Sequence, residues 1–455
     1  MQNNKVNPST LSGFMELMPS EQKVFNKIEK TLKEVYELYG FYPLDTPILE
    51  KSEVLLAKAG GETEKQIYRF FKGDTDITMR FDLTVPLAKY VAKNYNNLVF
   101  PFKRYQIGKV YRGERAQKGR YREFYQADID IIGDGELNII NDAEIPSVIY
   151  NVFTRLGLND FTIRINNRKI LNGFFSMLNL EEKTVDVMRI IDKIEKISYD
   201  EFIKELKKID VTDEQCEEIL KFIKIEGNSE EILESLKAFS GKNEVFDQGL
   251  KELELVYKYV ADFNVPKENY KIDLSIARGL DYYTGTVYET TFNQHPEIGS
   301  VCSGGRYDNL AEYYTEKKLP GVGISIGLTR LFFILNDNNY LNSKDSSPAD
   351  VLIVPMTEDL SYAINISTKL REEGIKTQIY FENKKIKNKV SYANRTKIPF
   401  VLFLGEDEIN INKVTIKNLE SGKQETIELS GAIKIIQDCV RVLSNEKIVN
   451  IGTKN

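Results

Sequence analysis

The stretch YRGERAQKGRYREF, residues 111–124, decides how this chain reads. Tyr111 and Phe124 frame it, and Gly119 sits near its middle. From Lys103 to Arg122 the basic residues are Lys103, Arg104, Lys109, Arg112, Arg115, Lys118, Arg120 and Arg122, and Glu114 is the sole acid. Period-two alternation puts Arg112 and Glu114 on one face of a first strand. On a second strand it puts Arg120, Arg122, Phe124, Gln126, Asp128 and Asp130 on one face, with Ile129 and Ile131 on the other. One side of this hairpin is polar and the other is apolar enough to pack on a core. Arginines supply forked donors for phosphate oxygens. Phe124 offers a stacking surface for a base, and Glu114 an acceptor for an exocyclic amine. That inventory suits a nucleotide beside a small polar molecule, where a solvated sheet face with ion pairs is the plain alternative.

The rest of the chain frames the hairpin. Its formal net charge is −6, so any polyanion site has to be local. A second basic patch, Lys384, Lys385, Lys387, Lys389, Arg395 and Lys397, holds no acid. Two such patches on an acidic chain suit one extended polyanion touching two places. Cys216, Cys302 and Cys439 lie far apart with no CxxC, which argues against zinc or a disulfide framework. His295 is the single histidine, so catalysis built on several histidines or on histidine-ligated metal is excluded, and no metal-ligand set is read. No run reaches about 18 apolar residues and the start lacks an apolar signal core, so the reading is a cytoplasmic protein with no membrane partner.

Val24, Ile28, Leu32, Val35 and Tyr39 follow helical spacing, with Gly40 as the stop. Residues 99–133 read as strands turning near Gly119. Residues 180–262 carry helical stripes, such as Val187, Ile190, Ile191 and Ile194, in a block rich in lysine and glutamate. Strands return from 270 to about 336, and NDNNYLNSKDSSP, 336–348, reads as a linker. Beyond it strands alternate with helices, which implies a small α/β domain with parallel strands. Its last strands form a hairpin turning at Ser421-Gly422.

The hairpin resembles motif 2 of the class II aminoacyl-tRNA synthetases, as Arg112-Gly113-Glu114 followed by Gly119-Arg120 through Phe124. GVGISIGLTRLFFIL, 321–335, resembles motif 3, with Arg330 its ATP-contacting arginine, and the first helix with the Pro47 segment resembles motif 1. ARGLDYYTGTVYE (277–289) and GSVCSGGRYDNL (299–310) are similar to the two signature boxes of the histidyl-tRNA synthetase family. MRFDLTVPLAKYVA and GRYREFYQADIDIIG are similar to that family as well, and the resemblance runs from about Gly13 to residue 445.

The resemblance implies an α+β catalytic domain with an antiparallel sheet, a helical insertion and a C-terminal α/β anticodon-binding domain. The expected boundaries are 1–164 and 266–336 for the catalytic domain, 165–265 for the insertion, 337–348 for the linker and 349–455 for the last domain. It implies activation of L-histidine by ATP with Mg²⁺, transfer to tRNA, and a homodimer. Asp82, Leu83, Thr84 and Gln126 are implied around the amino group of histidine, Asp130 and Tyr283 at its imidazole, and Tyr282 in the same pocket. Glutamate stands at the places of Asp82 and Asp130 in other members. Arg112 is implied at the α-phosphate and the substrate carboxylate, Glu114 and Phe124 at adenine, and Arg120 and Arg330 at the outer phosphates. Arg278 matches the catalytic arginine. Arg115 and Lys118, in the motif 2 loop, are implied at the tRNA acceptor end, and Lys384, Lys385, Lys387 and Lys389 at the anticodon end. Gly304-Gly305 reads as permitting close backbone approach to a ligand.

The reaction supports these roles. A carboxylate is already a nucleophile at neutral pH, so adenylate formation needs alignment and fixed positive charge, not a general base. Arg112 and Arg278 on opposite sides of the α-phosphate would supply it. Two rival readings remain: a synthetase-like regulatory subunit that senses histidine without charging tRNA, and an RNA-binding accessory protein on an inactive scaffold. The presence of Arg112, Arg120, Arg278 and Arg330 with a full C-terminal domain speaks against both.

Overall fold

A computed structural model describes residues 6–57, 66–115, 119–194, 197–277, 282–341, 347–444 and 448–449. They fall into two compact units, one formed by residues up to Glu16 with Glu29–Asn339, the other by Leu17–Ile28 with the chain from Tyr340 onward.

In chain order the first unit's strands are β1 (Tyr42–Pro43), β2 (Leu49–Lys51), β3 (Arg69–Lys72), β4 (Thr75–Met79), β5 (Phe102–Tyr111), β6 (Glu123–Ile132), β7 (Phe161–Asn167), β8 (Tyr270–Ile272), β9 (Thr286–Phe292), β10 (Cys302–Tyr307) and β11 (Gly321–Ile326). Eight of them make one sheet in the order β1-β5-β6-β11-β10-β9-β7-β8. The six inner strands pair antiparallel, and only the end pairs β1/β5 and β7/β8 are parallel. β2, β4 and β3 form a small separate sheet.

The register of β5 with β6 pairs Arg104 with Asp130 and Gln106 with Asp128. Ile129 and Ile131 are fully buried on one face of β6. Asp128 and Asp130 are also buried, at 2% exposure each, on the other. Alternation along β6 thus separates an apolar core face from a buried polar face.

Helix Pro19–Leu38 buries Val24, Ile28, Leu32 and Val35 of the expected stripe, with Tyr36 buried in place of Tyr39, which is only half-buried just past the helix end, and Gly40 follows with φ +75°. β7 continues the sheet to Asn167, three residues past the expected end of the first catalytic segment. Helices then dominate from Arg168 to Asp262, and the last of them, Glu244–Asp262, packs on Arg168–Met177 and on Ile140–Leu156. Gly173 and Gly249 permit that approach, since a Cβ at either would lie within 2.8 Å of the facing helix.

The second unit carries β12 (Val351–Pro355), β13 (Thr377–Ile379), β14 (Phe400–Leu404), β15 (Val414–Asn418) and β16 (Gln424–Ile427), ordered β13-β12-β14-β15-β16. β12 pairs parallel with both β13 and β14, while β15 and β16 form the expected antiparallel hairpin around Gly422. Helices cover both faces, so β12 is buried throughout and reads as a continuous apolar run. No helix of the described residues is long and apolar enough to cross a membrane.

Candidate functional site

The polar face of β6, with β10 and β11 beside it, floors a cavity of about 420 Å³, within the ordinary range for a small-molecule site. Asp82, Thr84, Arg112, Glu114, Arg120, Phe124, Gln126, Asp130, Tyr282, Tyr283 and Arg330 all line it. Sequence spacing alone had placed them up to 248 positions apart (Asp82 to Arg330).

One end is shaped by the hairpin. Arg112 follows β5 directly; its Nε donates to Phe81 O at 2.9 Å and its guanidinium lies 5.3 Å from the centre of the Phe124 ring. Such a stacked cation keeps its remaining donors aimed while covering an aromatic face. Gly119 takes φ +73°, a conformation that favours glycine, as the chain turns back toward Arg120. Arg330 stands in the first turn of helix Leu328–Asp337 and donates to Ile298 O. Arg115 is exposed. Lys118 and Arg278 lie outside the described residues.

The other end holds buried acids. Asp82 is 3% exposed; its Oδ1 accepts from Val85 N at 3.2 Å at the start of helix Thr84–Asn94, and its Oδ2 has no partner. Burial pushes the Asp82 carboxyl up to about 6, against the pull of Arg112. Gln126 Nε2 donates to Ser325 Oγ at 2.8 Å and leaves its Oε1 without a partner. Asp130 Oδ2 lies 2.6 Å from Arg104 Nη2, and its Oδ1 accepts from the Tyr307 hydroxyl at 2.7 Å. Burial raises the Asp130 carboxyl while Arg104 opposes the rise. The Tyr282 and Tyr283 rings stand 4.9 Å apart, and burial drives both phenols well above their ordinary value. Arg168 donates to Tyr283 O at 3.2 Å and to Ala277 O at 3.3 Å, holding the two ends of the segment that contains Arg278.

Several expectations change. Leu83 does not line the cavity; its side chain is fully buried and its carbonyl accepts from Arg104 at 3.1 Å. Arg122 leaves the polar face: its Nε donates to Glu114 O at 3.0 Å and its Nη1 to Ser12 O at 3.3 Å, because β6 begins only at Glu123. A Cβ on Gly304 would sit 2.1 Å from Gly323 O, and one on Gly323 would sit 2.3 Å from Asp130 Oδ1. These glycines let neighbouring strands and the Asp130 carboxylate approach, a role the expected ligand approach did not include. Lys389 is buried at 8% exposure; its Nζ donates to Pro355 O at 3.0 Å and lies 5.7 Å from the Tyr380 ring centre. It is therefore an internal anchor of helix Ile386–Arg395, while Lys384, Lys385 and Lys387 are exposed. Cys302 also lines the cavity.

Reading by sequence missed Arg104, Asp128, Tyr307 and Ser325, all of which meet at the acidic end. Asp128 was on the correct face by alternation, but an arginine in a strand carries no mark that it is 0% exposed, as Arg104 is.

The model of the histidyl-tRNA synthetase family matches residues 13–331, and that of an anticodon binding domain matches 350–438. The chain is 57% identical to a histidine–tRNA ligase of Clostridium tetani, over 96% of this chain and 100% of that one. It is 49% identical to a histidine–tRNA ligase of Clostridium acetobutylicum, over 94% and 99%. The crystal structure of histidyl-tRNA synthetase from Nostoc sp. PCC 7120 superposes with a TM-score of 0.88 at 40% identity, covering 96% of this chain and 100% of that one.

Proposed function

The chain belongs to the histidyl-tRNA synthetase family, and on that premise we propose that it is a histidine–tRNA ligase. It joins L-histidine to ATP, giving histidyl-adenylate and pyrophosphate, and then transfers histidine to the 3′ end of its tRNA. The observation that carries this reading is the division of one cavity. Arg112, Phe124, Arg120 and Arg330 line one end, and buried acids with partnerless oxygens line the other. Buried polar atoms are normally satisfied, and the unpartnered Asp82 Oδ2 and Gln126 Oε1 support a cationic ligand group here, read as the α-ammonium of histidine. The ring end is walled by Asp130, Tyr283 and the Tyr307 that Asp130 holds. Adenine stacks on Phe124, with Glu114 accepting from its amine.

Adenylate formation brings the histidine carboxylate against the α-phosphorus, so two anions must be held in line. Arg112, fixed by Phe81 O and by Phe124, supplies charge that needs no reorganisation. Arg278 is the second arginine that the family resemblance implies, and Arg168 fixes the carbonyls of Ala277 and Tyr283 on either side of it in the chain. Mg²⁺ would arrive with ATP and neutralise charge on its phosphates; among the described residues no group of three or more His, Cys, Asp or Glu could hold a metal ion of its own. The second unit reads the anticodon end of the tRNA, with Lys384, Lys385 and Lys387 on phosphates. Exposed Tyr42, Leu49, Phe70 and Phe71 support a homodimer. ATP–pyrophosphate exchange dependent on histidine, followed by tRNA charging, tests the reading. Histidine binding with no exchange would favour the regulatory alternative.

A further inference from the structure

We propose that Asp128 is a third acid of the histidine pocket, its free Oδ1 accepting a ring N–H of the substrate imidazole. The inference deepens the reading above and rests on it.

Asp128 is 2% exposed, lines the cavity, and presents an Oδ1 with no partner. Asp130, the acid expected at the ring, has its Oδ1 taken by Tyr307, and its Oδ2, though without a hydrogen bond, is covered by the Arg104 guanidinium at 2.6 Å. Two residues along the same strand face, Asp128 Oδ1 has no hydrogen bond and no cation so close against it. The imidazole of histidine carries a donor that such an oxygen can accept. A hydrocarbon analogue of similar size, with no donor to offer, would leave it buried and unpaired, which is how a polar pocket rejects it.

The charge balance points the same way. Asp82, Asp128 and Asp130 gather around Arg104, with Arg112 acting mainly on Asp82. The groups facing Asp128 are Arg104 and Gln106 from β5, Asp130 on its own strand, Ser325 from β11, Cys302 from β10, Asp82, Tyr283, and Tyr36 from helix Pro19–Leu38. Burial pushes the Asp128 carboxyl up to about 7; Asp130 adds to the rise, and Arg104 and Ser325 oppose it. A ligand that brings an ammonium and a ring N–H favours the ionised acid, so binding drives the Asp128 proton to solvent. The competing role is internal: Gln106 Oε1, on the paired strand, also lacks a partner, and a protonated Asp128 serving only the sheet would donate there.

Histidine-dependent ATP–pyrophosphate exchange on the full chain and its Asp128→Asn variant separates the two roles. Asparagine keeps the shape and removes the charged acceptor. The histidine KM should rise about 10- to 100-fold, the loss expected for a hydrogen bond to a charged group, while the KM for ATP stays within about twofold. Calorimetric titration of wild type with histidine at pH 7, in two buffers of different ionisation enthalpy, should show release of about half a proton, and Asp128→Asn should lose most of it. A histidine KM within twofold of wild type would assign Asp128 to the sheet and overturn the inference. If the variant does not fold, the wild-type titration decides alone, and no proton release there sinks the proposal. A wild type with no histidine-dependent exchange at all overturns the functional reading, and this inference with it.

Discussion

Replacing Asp130 with asparagine removes the charged partner of a fully buried arginine. Arg104 is 0% exposed and Asp130 Oδ2 lies 2.6 Å from its Nη2. Arg104 Nε and Nη1 have no partner, so the rest of its support is the Leu83 carbonyl at 3.1 Å. Asparagine would keep its oxygen on the Tyr307 hydroxyl, which turns its NH₂ toward the guanidinium, donor against donor. Breaking a buried pair by removing one partner costs about 3–5 kcal/mol. Loss of the Asp130 charge also eases ionisation of Asp128, which returns part of the compensation and places the expectation near the lower end. For a folding unit of about 300 residues, an unfolding entropy of about 2.1 cal/mol/K per residue gives about 0.6 kcal/mol/K. The melting transition of the first unit should therefore fall by about 5 °C in scanning calorimetry. Joining Asp130→Asn to Arg104→Met should recover most of the loss, because the stranded charge goes too. A single-variant shift below about 1 °C would refute the reasoning, as would a double variant less stable than the single.

Arg112→Ala should slow pyrophosphate exchange about 10²–10³-fold, with far less effect on histidine binding; a loss under fivefold would remove Arg112 from the reaction. Gly323→Ala forces a Cβ against Asp130 Oδ1 and Ile129 O, so it should lower both melting temperature and histidine affinity, and normal affinity with a normal melt would count against the close approach. Asp82 and Asp128 titrate near 6 and 7 in the folded state, above the usual 3.8. Their stabilising contribution is therefore full below about pH 4 and lost as pH rises through 6 and 7. Saturating histidine should accordingly raise the melting temperature more at pH 8 than at pH 5.5, and an equal rise at both would contradict the burial of the two acids. Changing Lys384, Lys385 and Lys387 together to Gln should weaken tRNA binding and flatten its salt dependence by about two to three in slope, leaving exchange intact. Lys389→Gln should instead lower the melting temperature of the second unit with little change in that slope.

The antiparallel sheet was legible because alternation is a local property. Phe124, Gln126, Asp128 and Asp130 point into one cavity as period two requires, and Arg122 departs because the strand has not yet begun there. What lies across strands was not legible. That Gly304 meets Gly323, or that Arg104 meets Asp130, depends on a register fixed by the whole sheet. The lysine patch misled for a related reason. A charge run reads as solvated, yet Lys389 and Ala393 stand four residues apart on the buried side of their helix, and only the small Ala393 hinted at it.

Helix Ile386–Arg395 opens with Lys384, Lys385 and Lys387 around its first turn and has no acid there. Its unpaired amide groups and aligned peptide dipoles already make that end positive, the wrong place for cations by about 0.3–1 kcal/mol each. The strain is electrostatic and local, and an RNA phosphate docked at that end would relieve it. Helix and lysines would then attract the same anion together, so the helix should fray less with tRNA bound, seen as slower amide hydrogen exchange from Ile386 to Lys389.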